Sequence, residues 1–139
     1  MNAWRYTIFE FLNERGKSVI GRWLEDERLT DRDRGALKAK MDMLARLEPG
    51  LAGSVLAGPI KSKRNPRAPK HIYKLMVHAD MMLRPMLCRG PLDNETEYTF
   101  LLGALEIGGK LDRDAEEAEQ NRQIVIADPN RRERNGRYR

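Results

Sequence analysis

Alternation of apolar and polar residues predicts four short strands along the chain. The segment AWRYTIF, residues 3–9, is rich in aromatic and β-branched types and predicts an opening strand. The stretch HIYKLMVHADMMLRPMLCRG predicts two neighbouring strands, over about 71–78 and 82–89. The nearly unbroken apolar run EYTFLLGAL, residues 97–105, predicts a further strand that lies centrally in the sheet.

Helical spacing of apolar residues predicts two consecutive helices after the first strand. The segment SVIGRWLEDERL predicts a helix from about Arg15 to Arg28. Thr30 followed by Asp33 approximates a capping box, so a second helix begins here and ends at Pro49-Gly50. The apolar stripe of this second helix consists of Leu37, Met41, Leu44 and Leu47.

The remaining segments predict a loop and a last helix. Residues 49–70 hold three glycines, four prolines and five basic residues, which is typical of an ordered loop or a mobile arm rather than a strand. After Asp112 as a cap, RDAEEAEQNRQIVIA predicts a helix that ends at Asp128-Pro129 and has a weak apolar face.

This order of elements predicts an α+β fold. We expect a small antiparallel sheet of about four strands, with the two-helix hairpin packed on one face and a C-terminal helix, and with the other face of the sheet left open. A chain of 139 residues has room for one core, so we expect a single domain over residues 1–128. Residues 129–139 are expected to form a basic, disordered tail.

Composition narrows the class of protein. The apolar share of 40% and the charged share of 34% suit a soluble globular domain. No segment has the apolar length of a membrane span or the pattern of a signal peptide, which predicts a cytoplasmic protein with no membrane contact. Cys88 is the only cysteine, which excludes an internal disulfide and a cysteine-based metal cage.

Basic residues are concentrated in two zones on either side of an acidic one. Residues 61–90 hold eight Lys or Arg and one acid, whereas residues 91–128 hold ten acids and three basic residues. The chain ends with RRERNGRYR, which has five arginines in nine positions. Clustered Lys and Arg gain affinity for phosphates by releasing counterions, so this distribution predicts a polyanionic partner such as nucleic acid.

The order of elements, together with IYKL in one strand and MLRPML in the next, resembles the RelE/ParE/HigB toxin superfamily, in particular its phage-derived HigB-like branch. The resemblance covers roughly residues 3–127. It implies a metal-independent endoribonuclease that cleaves messenger RNA, often on the ribosome, and is held inactive by a helix-turn-helix antitoxin in the bacterial cytoplasm. No cofactor is implied. Met76 departs from the pattern, because the HigB-like branch usually has a basic residue at this position.

The resemblance also assigns candidate catalytic residues. It places Lys74, Arg84 and Lys110 at basic positions of the family's active site. RNA cleavage by attack of the 2′-hydroxyl needs a base, an acid and positive charge on the phosphorane. Arg84 suits the phosphorane because its guanidinium donates to two phosphate oxygens, and Lys74 can act as base only with a lowered pKa. His78 is a candidate acid or base, because imidazole is the side chain best suited to proton transfer at neutral pH.

Other basic residues of this region are candidates for contacts with nucleic-acid phosphates. They are Lys61, Lys63, Arg64, Arg67, Lys70 and Arg89.

The register of the predicted hairpin decides whether the active-site assignment is possible. If the turn consists of Ala79-Asp80 alone, Lys74 and Arg84 lie on opposite faces. A turn one residue longer, or a bulge at Pro85, pairs Met76 with Arg84 and places Lys74, His78 and Arg84 on one face. Two functions therefore stay open: the endoribonuclease, and a catalytically inactive protein of the same fold that binds nucleic acid, the ribosome or an acidic protein. A structural phage component is a third alternative.

Overall fold

The apolar run EYTFLL forms the interior of a six-stranded sheet. A computed structural model describes residues 4–46, 55–62 and 69–138, and the strand formed by this run is buried along its whole length. The strands are β1 Thr7–Phe11, β2 Leu56–Ala57, β3 Tyr73–Leu75, β4 Val77–His78, β5 Met82–Leu83, β6 Met86–Arg89, β7 Glu97–Leu102, β8 Glu106–Ile107, β9 Lys110–Leu111 and β10 Arg132–Arg134. The helices are α1 Val19–Trp23, α2 Asp31–Arg46 and α3 Ala115–Ala127.

The sheet is mixed and has the order β10-β1-β7-β6-β3-β2. Strand β7 lies between β1 and β6, so the prediction of a central strand is confirmed. The prediction of a four-stranded antiparallel sheet is wrong, because β1 pairs in parallel with β7 and the sheet has two further edge strands. The direction of this pairing depends on how the chain crosses the sheet between β1 and β7, which no local pattern specifies. Two short hairpins, β4–β5 and β8–β9, stand beside the main sheet.

Helix α2 begins at the predicted capping box. The backbone N–H of Thr30 donates to Asp33 Oδ2 at 2.9 Å, and the backbone N–H of Asp33 donates to Thr30 Oγ1 at 3.2 Å. Leu37, Met41 and Leu44 are buried, as the apolar stripe predicts. Leu47 and the predicted end at 49–50 lie outside the described residues.

Helices pack on both faces of the sheet. Helices α1 and α2 contribute Ile20 and Leu44 to a buried cluster with Ile8, Leu87 and Phe100 of the sheet. Helix α3 covers part of the opposite face. Its buried residues Ala115, Ala118 and Val125 join a second cluster with Met86, Cys88 and Leu101. The expectation of an open second face is therefore wrong where α3 lies, because two alanines let a weakly apolar helix approach the sheet closely.

Helix α1 is much shorter than the 15–28 predicted. Asn13 Oδ1 accepts from the backbone N–H groups of Arg15 and Lys17, and Gly16 has a positive φ of 74°, so a turn takes the place of the first helical residues. Ser18 then caps α1 by accepting from the N–H of Gly21 at 2.9 Å.

Segment 55–62 contains a strand where the sequence predicted a loop or an arm. Leu56 lies opposite Leu75, so β2 adds an edge to the sheet beside β3. Beyond it, the N–H of Ile60 donates to the carbonyl of Ile72 at 2.7 Å. These two contacts fix the position of the residues that follow, including Lys61.

The C-terminal segment is part of the fold rather than the disordered tail that the sequence predicts from residue 129. After a 3₁₀ turn, β10 pairs antiparallel with β1 and places Phe9 opposite Arg134. Tyr138 is 1% exposed, packs edge-on against Trp4 and donates its hydroxyl to Asp42 Oδ1 at 2.6 Å. Pairing of a basic segment with β1 depends on a strand more than a hundred residues earlier, which local composition does not reveal.

Candidate nucleic-acid interface

The hairpin formed by residues 71–90 has the register that places three candidate residues on one side. His78 lies opposite Met82, and Lys74 lies opposite Met86. The two pairs belong to one register, and continuing this register places Met76 opposite Arg84. These two residues lie between the β3–β6 pairing and the β4–β5 pairing. By this register, Lys74, His78 and Arg84 project toward the same side of the hairpin. The register therefore differs from that of a turn consisting of Ala79-Asp80 alone, which would place Lys74 and Arg84 on opposite faces.

Arg84 is nevertheless buried within the fold. Its side chain is 5% exposed, and Nη1 donates to the carbonyls of Val77 at 2.9 Å and Leu83 at 3.0 Å. Nε forms an ion pair with Glu106 Oε1 at 3.3 Å. A guanidinium held by these three groups is not presented to a phosphate on the surface. Its catalytic role stays a prediction, and a structural role is evident from these contacts.

Lys74 and His78 differ from Arg84 in having no such partners. Lys74 is half-buried in β3, and His78 is exposed at the end of β4. Within residues 4–46, 55–62 and 69–138, neither side chain forms an ion pair or a hydrogen bond. Both are therefore open to an anionic ligand, although Lys74 is only partly accessible.

Lys110 lies on a hairpin rather than at a simple strand exit. Gly108 and Gly109 have φ angles of 59° and 79°, which are the left-handed values that a two-residue turn between β8 and β9 requires. Lys110 follows this turn and is exposed. The backbone N–H of Leu105 donates to Asp112 Oδ1 at 2.8 Å and holds the base of the hairpin.

The structure brings Lys110 and Lys61 together at one groove. The groove has a volume of about 360 Å³ and lies between segment 55–62, strand β9 and the start of α3. Arg113 also lines this groove, and charge distribution alone did not single it out. Arg113 pairs with Glu117, whereas Lys61 and Lys110 have no ion-pair partner in the described part of the chain. We refer to this feature as the lysine groove.

The remaining phosphate-contact candidates do not converge on the lysine groove. Arg89 lies opposite Tyr98, whose side chain belongs to the buried cluster between the sheet and α2. Lys74 lies opposite Met86, whose side chain belongs to the buried cluster between the sheet and α3. Arg89 and Lys74 therefore occupy opposite faces. Lys70 is exposed just before β3. Three further candidates lie outside the described residues: Lys63, Arg64 and Arg67.

Several arginines of the C-terminal segment are engaged within the protein. Arg132 forms an ion pair with Glu97 at 2.8 Å, and both side chains are less than a tenth exposed. Its guanidinium also lies 3.6 Å from the centroid of the Phe9 ring. These contacts reduce the number of C-terminal positive charges that a polyanion can reach.

Arg137 has an acidic partner as well. Its ion pair with Asp42 and the hydroxyl of Tyr138 hold the pKa of that carboxyl at about 2. Burial and the bond to Asp42 together raise the pKa of Tyr138. The three side chains join the end of the chain to helix α2.

Comparison with known proteins gives no family assignment. No protein family, curated protein or solved structure matches this chain. The resemblance to RelE/ParE/HigB toxins therefore stays a prediction. No helix in the described residues has both the length and the apolar character needed to cross a bilayer. Within the same residues, no three His, Cys, Asp or Glu side chains are grouped so that they could hold a metal ion.

Proposed function

We propose that this protein binds RNA through a basic surface centred on the lysine groove. The observation that carries the proposal is that Lys61 and Lys110, which lie far apart in the sequence, line one groove and form no ion pair in the described residues. Asp112 and Asp114 also line the groove, but Asp112 accepts from the backbone N–H of Leu105 and Asp114 from that of Glu116, and within the described residues neither carboxylate forms an ion pair with Lys61 or Lys110. The two ammonium groups therefore keep donors for phosphate oxygens. RNA is the polyanion that the resemblance to RelE/HigB proteins implies.

The internal hydrogen bonds and ion pair of Arg84 favour RNA binding over RNA cleavage. Of the proposed catalytic set, Arg84 is the residue with the donor geometry for a phosphorane, and its Nε and Nη1 donate to Glu106 and to two backbone carbonyls. Releasing it would leave these buried groups without a partner, at a cost of several kcal/mol. A surface that attracts phosphates needs no such rearrangement.

Salt-dependent binding tests the proposal. The double variant Lys61→Ala/Lys110→Ala is compared with the wild type by fluorescence anisotropy of a labelled oligouridylate over a range of salt concentrations. Loss of two phosphate contacts on a single strand should reduce the slope of log K against log salt by about 1.4, since each contributes about 0.7. If both proteins bind equally at about 1 M salt, where phosphate contacts contribute little, the variant should bind roughly 25-fold more weakly at about 0.1 M salt.

A matched control separates the groove from overall charge. Lys38 and Lys40 lie on helix α2, away from the lysine groove. Lys38→Ala/Lys40→Ala removes the same charge and should leave the slope within about 0.3 of the wild type. If both double variants lower the slope equally, binding follows net charge and the proposed interface is wrong.

The second candidate function is the metal-independent endoribonuclease of a toxin-antitoxin system. The hairpin register supports it, because Lys74, His78 and Arg84 project toward one side. In this case His78 and Lys74 would transfer protons to and from the RNA, and a helix-turn-helix protein encoded next to this one would be its inhibitor in the bacterial cytoplasm.

Cleavage assays distinguish the two candidates. Wild-type protein is incubated with messenger RNA in the presence of EDTA, and growth is followed on expression. The nuclease should cleave RNA and arrest growth, and His78→Gln should abolish both without lowering the melting temperature, since His78 is exposed. RNA binding without cleavage or growth arrest would exclude the nuclease and leave the binding function.

A further inference from the structure

A second groove lies between α1 and α3 and is distinct from the lysine groove. It has a volume of about 510 Å³, which lies in the range of ligand sites. The end of β1, the turn at residues 13–17, helix α1 and helix α3 form its walls. Arg113 is the residue that borders both grooves. We refer to this feature as the arginine groove.

The floor of the arginine groove is aliphatic. Leu102 and Phe11 are buried at its base, and Val19 and Ile124 are half-buried along it. The Phe11 ring is only 3% exposed, and the guanidinium of Arg131 lies 5.5 Å from its centroid. No open aromatic face among these lining residues is therefore presented to a nucleobase, whereas an aliphatic side chain fits the floor.

Four arginines form the rim of this groove, and two of them lack partners. Arg113 pairs with Glu117, and Arg131 Nε donates to the carbonyl of Leu12 at 3.1 Å. The remaining two are Arg15 and Arg22. Both are exposed, and over the described ranges neither side chain forms an ion pair or a hydrogen bond.

We propose that the arginine groove binds an acidic segment of a partner protein. Carboxylates of the segment would pair with Arg15 and Arg22, because guanidinium donates to both oxygens of a carboxylate. An aliphatic side chain of the segment would lie against Val19 and Ile124. This is the mode in which a peptide places apolar anchors in a groove and acidic residues at its rim.

The chemistry of the groove favours a peptide over RNA. Glu14 and Glu117 also lie on the rim. A peptide can place a neutral residue beside each of these carboxylates, whereas every unit of a phosphate backbone carries a charge. The floor offers no base-stacking surface, as its aromatic ring is covered. The proposed partner is therefore distinct from the RNA of the lysine groove.

Binding of a designed acidic peptide tests this proposal on the full chain. The probe is a fluorescein-labelled peptide EELLEELLEE, and the comparison peptide QQLLQQLLQQ has the same apolar residues without charge. The acidic peptide should bind at least about tenfold more tightly than the neutral one, because a charge-assisted hydrogen bond contributes about 1.5 kcal/mol or more. Arg15→Ala/Arg22→Ala should weaken its binding by about tenfold.

Controls make the site assignment specific. Lys38→Ala/Lys40→Ala removes the same number of charges on α2 and should leave peptide affinity within about twofold, because surface charges far from a bound ligand are screened. Ile124→Gln keeps the arginines and should also weaken binding, with thermal melting as the check on folding.

Each other outcome overturns the proposal. Equal binding of both peptides, or unchanged affinity in Arg15→Ala/Arg22→Ala, would show that the groove does not select an acidic segment. If oligouridylate competes with the peptide and its binding depends on Arg15 and Arg22, this groove is an RNA site instead. Lys61→Ala/Lys110→Ala should leave peptide binding unchanged, so failure here is separate from failure of the RNA proposal.

Discussion

Replacement of Arg84 by methionine tests whether this residue is structural or catalytic. Methionine keeps an unbranched apolar stem of similar length but removes all donors. The carbonyls of Val77 and Leu83 then lose a buried charged donor, and the carboxylate of Glu106 loses its ion-pair partner. The Arg84 side chain is 5% exposed and that of Glu106 is 22% exposed, so water can solvate only the carboxylate.

The expected loss of stability is about 3 kcal/mol. Breaking a buried ion pair costs about 3–5 kcal/mol, and the partial exposure of Glu106 places this pair at the low end. For a domain of this size about 3 kcal/mol corresponds to a decrease in Tm of roughly 10 °C. That is a large part of a typical total stability of about 5–15 kcal/mol.

Thermal and urea unfolding followed by circular dichroism measure this effect. Arg89→Met changes the same residue type in the same hairpin and should alter the stability by less than about 1 kcal/mol, because Arg89 has no ion pair in the described residues. Arg84→Met/Glu106→Leu should recover part of the loss, since it removes the unpaired carboxylate. If Arg84→Met is as stable as wild type and RNA cleavage is lost, Arg84 acts on RNA and the structural interpretation is wrong.

Three further predictions follow from single contacts. Gly103→Ala should destabilise the fold by about 1–3 kcal/mol in urea unfolding, because the added Cβ would lie 2.0 Å from the Trp23 ring. The control Gly35→Ala adds a Cβ in open space on α2 and should stabilise the fold by about 0.5–1 kcal/mol. Burial raises the pKa of the Cys88 thiol to about 12, so a disulfide reagent should modify it at neutral pH only after unfolding; rapid modification of native protein would contradict its burial. The pKa of Asp42 in the folded protein is about 2, below its ordinary value of 3.8. The Asp42 carboxylate therefore stabilises the fold fully above about pH 4, and this stabilisation is lost as the pH falls toward about 2. In unfolding experiments, Asp42→Asn should lose less stability than the wild type between these two pH values.

Local features of the fold were predictable from the sequence. The capping box of Thr30 and Asp33 involves groups three residues apart, and the apolar stripe beyond it repeats at helical spacing, so α2 follows from neighbours along the chain. The nearly unbroken apolar run EYTFLLGAL, residues 97–105, indicated an interior strand. Hairpin positions were also predicted, although their register needed the structure.

Features that depend on distant segments were not predictable in this way. The basic C-terminal segment resembles a disordered tail by composition, yet β10 pairs with β1, and Arg132 finds Glu97 and the Phe9 ring. Such partners compensate the charge only when the fold brings them together. The same reasoning applies to the weakly apolar helix α3, which packs on the sheet through two alanines.

The candidate sites show the same division between local and tertiary information. The sequence by itself determined which residue types are present; its basic stretch 61–90 identified Lys61 as a candidate, and the resemblance to RelE/HigB proteins identified Lys74, Arg84 and Lys110. Only the tertiary structure decided that Arg84 is held by Glu106 while Lys61 and Lys110 meet at an open groove. The physical reason is that the exposure of a charge and its pairing depend on groups far away in the chain, whereas helix capping and strand patterns depend on neighbours.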